Sequence, residues 1–162
     1  MKRWSDRPVE IQNLFNPAFC GVVLFRALAG FEEEDPRGMP FSLSLLILPL
    51  SLQKTSREVL SNSTRSYLLK AVEKNPHILI GFGERAQTLL PFTFEALGLL
   101  MQMKCFDVSG SGRIKTIQNS VRKSVTGTAE SKACQRVARF VGKEFARISD
   151  RVTIYTSLGI RP

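Results

Sequence analysis

The chain is poor in the residues that build metal and acid–base sites. It has one histidine, His77, and three cysteines, Cys20, Cys105 and Cys134. No two cysteines form a CxxC pair, and a structural zinc site needs four Cys/His ligands set in close pairs. Reduced, buried thiols are expected instead. A Ser-His-acid triad could draw only on His77, which lies between Pro76 and an apolar run, and there is no G-x-S-x-G motif. Glu84 and Glu95 have no third polar partner for glycosidase or metal chemistry. No residue is assigned to catalysis, and neither a cofactor nor a metal is expected. Long hydrophobic runs are also lacking. The longest, Phe41–Leu52, is about twelve residues, broken by serines and Pro49, too short to span a bilayer. The basic start Met1-Lys2-Arg3 leads into Trp4-Ser5-Asp6-Arg7-Pro8 and not an apolar core, so no secretory peptide is read there. The expectation is one soluble, cytoplasmic domain over all 162 residues, with no membrane partner.

What is present in excess is positive charge, and it is unevenly placed. The formal net charge is +9, yet residues 1–103 hold 11 Lys/Arg against 10 Asp/Glu. Residues 104–162 hold 12 Lys/Arg against 4 Asp/Glu. Such an asymmetry points to an acidic partner: nucleic acid, an acidic protein face or anionic lipid.

Local signals predict a mainly α fold with a small β-hairpin. In NPAFCGVVLFRALAGF, Asn16 can cap the first amides, Pro17 presets the first helical φ, and Gly30 can end the helix in the left-handed region. The following FEEEDPRGMP reads as a solvated acidic turn. PFSLSLLILPLSL predicts a second buried helix starting at Pro40 that Pro49 bends or ends near Leu48, with a buried strand as the rival. Thr55 offers a cap for a short turn before the polar break SNST. Three helical segments follow: STRSYLLKAVEKN, HILIGFGERAQTLL closing at Pro91, and FTFEALGLLMQM.

Next comes KCFDVSGSGRIK. A phosphate loop requires a longer Gly-rich segment ending in Gly-Lys-Ser/Thr and opening a helix. Here the glycines lead into Arg113-Ile114-Lys115-Thr116, which reads as strand, so a hairpin turn is predicted. Three helices and a hairpin over residues 64–117 have the order of a winged helix-turn-helix. The last of those helices carries no Arg, Lys or Asn for base edges, so a winged-helix-like shape used for protein contact fits better than a DNA reader. Residues 118–131, QNSVRKSVTGTAES, read as a polar linker.

The clearest feature is a helix near residues 130–149, within a basic C-terminal segment, residues 130–162. Lys132, Arg136, Arg139, Lys143 and Arg147 step by four, three, four and four, within about 80° of one another on the helix surface. Cys134, Val137, Ala138, Val141, Phe145 and Ile148 take the other side. The bland reading of such a ridge is a solvated face. The sharper one is a surface for DNA or an acidic partner, because the row has no interleaved Glu. With Arg113 and Lys115 of the hairpin, these five cations are the candidate binding residues. A short final helix capped by Ser149 or Asp150 precedes Gly159.

RPVEIQNLFNPAFC, LILPLSLQKTSRE, GFGERAQTLLPFTFEAL and the terminal LGIRP, in that order, resemble one family across nearly the whole chain. It is the middle component of three-component ABC-ATPase systems, bacterial operons regarded as antiphage or conflict systems and related in layout to Lamassu. Arg7, Pro8, Glu10, Asn13, Asn16, Pro17, Glu84, Arg85, Arg161 and Pro162 are the matching positions. The resemblance implies a non-enzymatic adaptor beside an SMC/Rad50-like ABC ATPase and an effector subunit. A free-standing winged-helix DNA-binding regulator remains the alternative.

Overall fold

The computed structural model describes residues 3–161, so the readings placed on Met1, Lys2 and Pro162 lie outside it. Among the described residues the order is α1 (Val9–Leu14), α2 (Pro17–Glu34), β1 (Met39–Pro40), α3 (Phe41–Ser44), α4 (Ile47–Leu52) and α5 (Lys54–Asn62). Then follow α6 (Leu68–Lys74), α7 (Phe82–Gln102), β2 (Phe106–Val108), β3 (Arg113–Thr116), α8 (Ala129–Ile148) and α9 (Arg151–Ser157). The fold is mainly α with a small antiparallel sheet.

Helix α2 is the axis of the molecule. The Asn16 side chain accepts from the amides of Ala18 (2.8 Å) and Phe19 (3.4 Å), and Pro17 occupies the first turn, as its sequence predicts. Val23, Leu24, Ala27, Leu28 and Phe31 are buried, because α2 packs against α8, α7, α4 and β3 at once. Val9–Glu34 is long and apolar enough to cross a membrane by length and composition, but α2 holds the place of a core helix.

The helix does not end at Gly30. It continues to Glu34, which brings Glu32, Glu33 and Glu34 into its last turn and out of the expected acidic loop. Glycine inside a helix costs roughly 1 kcal/mol relative to alanine. Gly30 is kept there because a Cβ would stand 2.3 Å from the Arg139 carbonyl oxygen of α8.

The apolar run after Pro40 is two short helices, α3 and α4, in place of one. Pro49 neither bends nor ends the second. It lies in the first turn of α4, where no intrahelical partner awaits its missing N–H. The turn expected at Thr55 is the longer α5, capped by Gln53, whose side chain accepts from the Ser56 amide at 2.6 Å.

Pro91 likewise fails to divide α7, a single helix from Phe82 to Gln102. The proline sits on the exposed side of the helix. Residues 64–117 therefore contain two α-helices, α6 and α7, ahead of the hairpin in place of the three expected.

The predicted hairpin is present. Phe106 pairs with Thr116 and Val108 with Ile114, and Gly112 takes φ +74° in the turn. A distant segment completes the sheet: Met39 pairs with Ile114 and Pro40 with Arg113, giving the order β1-β3-β2.

Candidate interaction surface

Helices α2 and α8 run side by side in the same direction, since Arg26 meets Gln135 near one end and Glu34 meets Arg147 near the other. Two glycines set their closest approach. A Cβ on Gly30 would meet the Arg139 carbonyl, and one on Gly142 would come within 2.0 Å of the Ala27 carbonyl oxygen. Cys134, Val137, Ala138, Val141 and Phe145 are buried, the apolar side that the spacing predicts. Thr128 caps the helix by accepting from the Ser131 amide at 3.2 Å.

The basic ridge lies on the opposite side but is not uniform. Arg139 donates to Glu33, with Nε at 2.9 Å. Lys143 reaches Glu33 at 2.9 Å and Glu34 at 3.9 Å. Arg147 pairs with Glu34 at 3.0 Å and with Glu144 at 2.9 Å. Burial pushes the Glu33 carboxyl up, but its bonds to Lys143 and Arg139 outweigh that and hold it below the usual carboxylate range. The acidic residues that read as a loop thus form a ladder against the C-terminal half of the ridge. Lys132 and Arg136, nearer the start of α8, have no carboxylate partner among the described residues.

Two further charges are buried beneath this surface. Glu144 is 2% exposed, and its carboxylate accepts from the Leu68 amide at 2.8 Å as well as from Arg147. The Arg57 guanidinium donates to the Leu52 carbonyl (2.7 Å) and to Glu130 (2.6 Å), tying α5 to the start of α8. A buried charge shows in sequence only as a polar residue on an apolar stripe.

The hairpin residues part company. Arg113 turns inward, donating to the Gly38 carbonyl at 2.7 Å and reaching Asp35 at 3.5 Å, so it clamps the sheet to the end of α2. The Arg37 bond and the Arg113 charge outweigh partial burial and lower the Asp35 carboxyl to about 2. Lys115 is exposed.

Of the motif positions, Arg7 forms a two-pronged pair with Glu95 of α7 and lies 5.6 Å from the centre of the Phe92 ring, which stacks on Phe15 at 4.6 Å. Arg85 does not pair with Glu84. Its guanidinium donates to the Ile78 and Ile80 carbonyls, both at 3.0 Å, and sits over the Phe82 ring. Arg161 is exposed, and Pro162 is beyond the described residues.

An apolar face remains uncovered on α7. Pro91, Phe94, Gly98 and Met101 step by three and four residues along one side and are all exposed. Phe41 stacks on Phe94 with ring centres 6.3 Å apart, widening the patch. The neighbouring charge, Glu95, is taken by Arg7. Among the described residues no group of His, Cys, Asp or Glu is arranged to hold a metal ion.

No curated protein and no solved structure matches the chain. One family model does, over residues 4–162, described as ABC-three component (ABC-3C) system Middle Component 3. That match spans nearly the whole chain, and the chain belongs to the Middle Component 3 family of ABC-three component systems.

Proposed function

We propose that the chain is a non-enzymatic adaptor joining an SMC/Rad50-like ABC ATPase to an effector in a cytoplasmic bacterial antiphage complex related in layout to Lamassu. Membership of a middle-component family carries the reading, since such a subunit works among other components. The α7 face supports it. Exposed aromatic and methionine side chains on one helix side, free of charge, are the composition of a protein-contact core. The ridge adds a second, electrostatic contact with DNA or an acidic partner. The regulator alternative gains little, because the exposed α7 stripe offers no Arg, Lys or Asn to base edges.

Co-expression with the products of the adjacent genes tests the reading. The wild-type chain is expected to co-purify with an ATPase component and to stay bound in a high-salt wash. Phe94→Glu with Met101→Glu should reduce retention tenfold or more (on the order of two hot-spot contacts) while the thermal melt of the isolated chain is unchanged. Co-purification unaffected by that pair removes the α7 face from the reading, and no co-purification at all removes the adaptor.

A further inference from the structure

The cations of α8 fall into two groups. Those of the C-terminal half are occupied by Glu33, Glu34 and Glu144, whereas Lys132 and Arg136 have no carboxylate partner among the described residues. Arg122 and Lys123 precede α8 in the segment first read as a linker, and both are exposed. That segment is fastened to the helix. The buried Arg26 guanidinium donates to the Ser124 carbonyl (3.1 Å) and to the Gln135 side chain (3.2 Å), and the Gln135 amide donates to the Thr126 carbonyl (3.1 Å). The backbone next to Arg122 and Lys123 is therefore tied to Gln135, the residue before Arg136 in the unpaired half of the ridge.

From Arg113 to Arg139 the sequence holds seven Lys/Arg and one carboxylate, Glu130, which Arg57 already binds. Among the described residues no large hydrophobic side chain between Val108 and Val152 is exposed. That combination separates the possible anions. A protein interface needs apolar or aromatic anchors at its centre. A membrane-surface helix needs a bulky apolar face to insert, and single-stranded nucleic acid needs aromatic stacking platforms. A duplex backbone needs cations and small hydrogen-bonding side chains, and Gln118, Asn119 and Ser124 stand exposed here. A cationic helix side also suits the wide major groove of B-form DNA and not the deep, narrow one of an RNA duplex.

We propose that Arg122, Lys123, Lys132 and Arg136 form a site for the phosphate backbone of double-stranded B-form DNA, bound without regard to base sequence. The proposal deepens the DNA contact of the adaptor reading and rests on it for its place in a complex. The binding itself belongs to this chain alone.

The test is binding of the purified full chain to a fluorescent DNA duplex of arbitrary sequence. With about four phosphates neutralised, affinity should fall roughly 100-fold between about 50 and 200 mM salt. Arg122→Glu with Lys123→Glu, or Lys132→Glu with Arg136→Glu, should each flatten the log–log salt slope by about two. Lys70→Glu on α6 should leave it unchanged. An RNA duplex, polyglutamate and phosphatidylserine vesicles serve as competitors and should displace DNA poorly. No duplex binding at low salt, equal losses in all three variants, or stronger competition by any of those polyanions overturns the proposal. Co-purification with the neighbouring components is scored separately. DNA binding without co-purification defeats the adaptor reading and leaves this site standing.

Discussion

Gly142 of α8 lies so close to Ala27 of α2 that a single added methyl would sit 2.0 Å from the Ala27 carbonyl oxygen. Backbone, not a movable side chain, occupies that space. Gly142→Ala must therefore push the two helices apart, and a loss of about 1–3 kcal/mol is expected, the usual range for overpacking. Gly83 is the control: it is also helical, and nothing lies within 4 Å of its Cβ position. Gly83→Ala should stabilise by about 0.5–1 kcal/mol through helix propensity. Urea unfolding of the two variants beside the wild type decides the matter by sign.

The Leu68 amide has its bond with a buried carboxylate from another helix. Glu144→Ala removes that acceptor and should cost about 2–3 kcal/mol, because a buried N–H is left unsatisfied. Glu144→Gln keeps an acceptor oxygen and should cost less. Arg147→Ala, at a half-exposed position, should cost under about 1 kcal/mol. The reverse order between Glu144→Ala and Arg147→Ala would mean that the bonds of Arg147 to Glu34 and Glu144, and not the α6–α8 amide bond, carry the larger share of the stability.

Asp35 makes the stability depend on acid. Its folded pKa of about 2 lies below the ordinary value of 3.8, chiefly through the Arg37 bond. A lowered carboxyl stabilises the fold above the ordinary value, and the contribution is lost as pH falls through the folded one. Stability should therefore drop between pH 3.8 and about 2, with Glu33 shifted in the same sense. Asp35→Asn should flatten that slope in denaturation curves taken across the window, and an unchanged slope would assign it to other carboxylates.

The thiols should be silent in the native state. Burial drives Cys20 up to about 12 and raises Cys134, and Cys105 is buried as well. A thiol-reactive chromophore is expected to label none of the three at neutral pH until denaturant is added, when all three react. Fast labelling of any one without denaturant contradicts the burial.

Much of this was legible before any tertiary contact. Asn16 and Asp150 cap helices, the Ser-Gly-Ser-Gly stretch turns the hairpin, and the two sides of α8 follow from its spacing. Each is a bond or a face made within four or five residues, so local chemistry is enough to set it. Less legible was what crosses the chain. Whether Gly30 ends a helix, whether Pro91 breaks one and whether Glu33 is solvated depend on neighbours far away in sequence.

The amino-acid order alone determined that the chain is mainly helical, that α2 begins at Pro17 and α3 after Pro40, and that five cations share one side of α8. Tertiary structure decided which of those cations are available. Glu33 and Glu34 reach Arg139, Lys143 and Arg147 across more than a hundred residues, and only because Gly30 and Gly142 let α2 and α8 approach so closely. Charge along a helix is written in its spacing, but neutralisation requires an opposite charge within a few ångströms, and that distance is a property of packing.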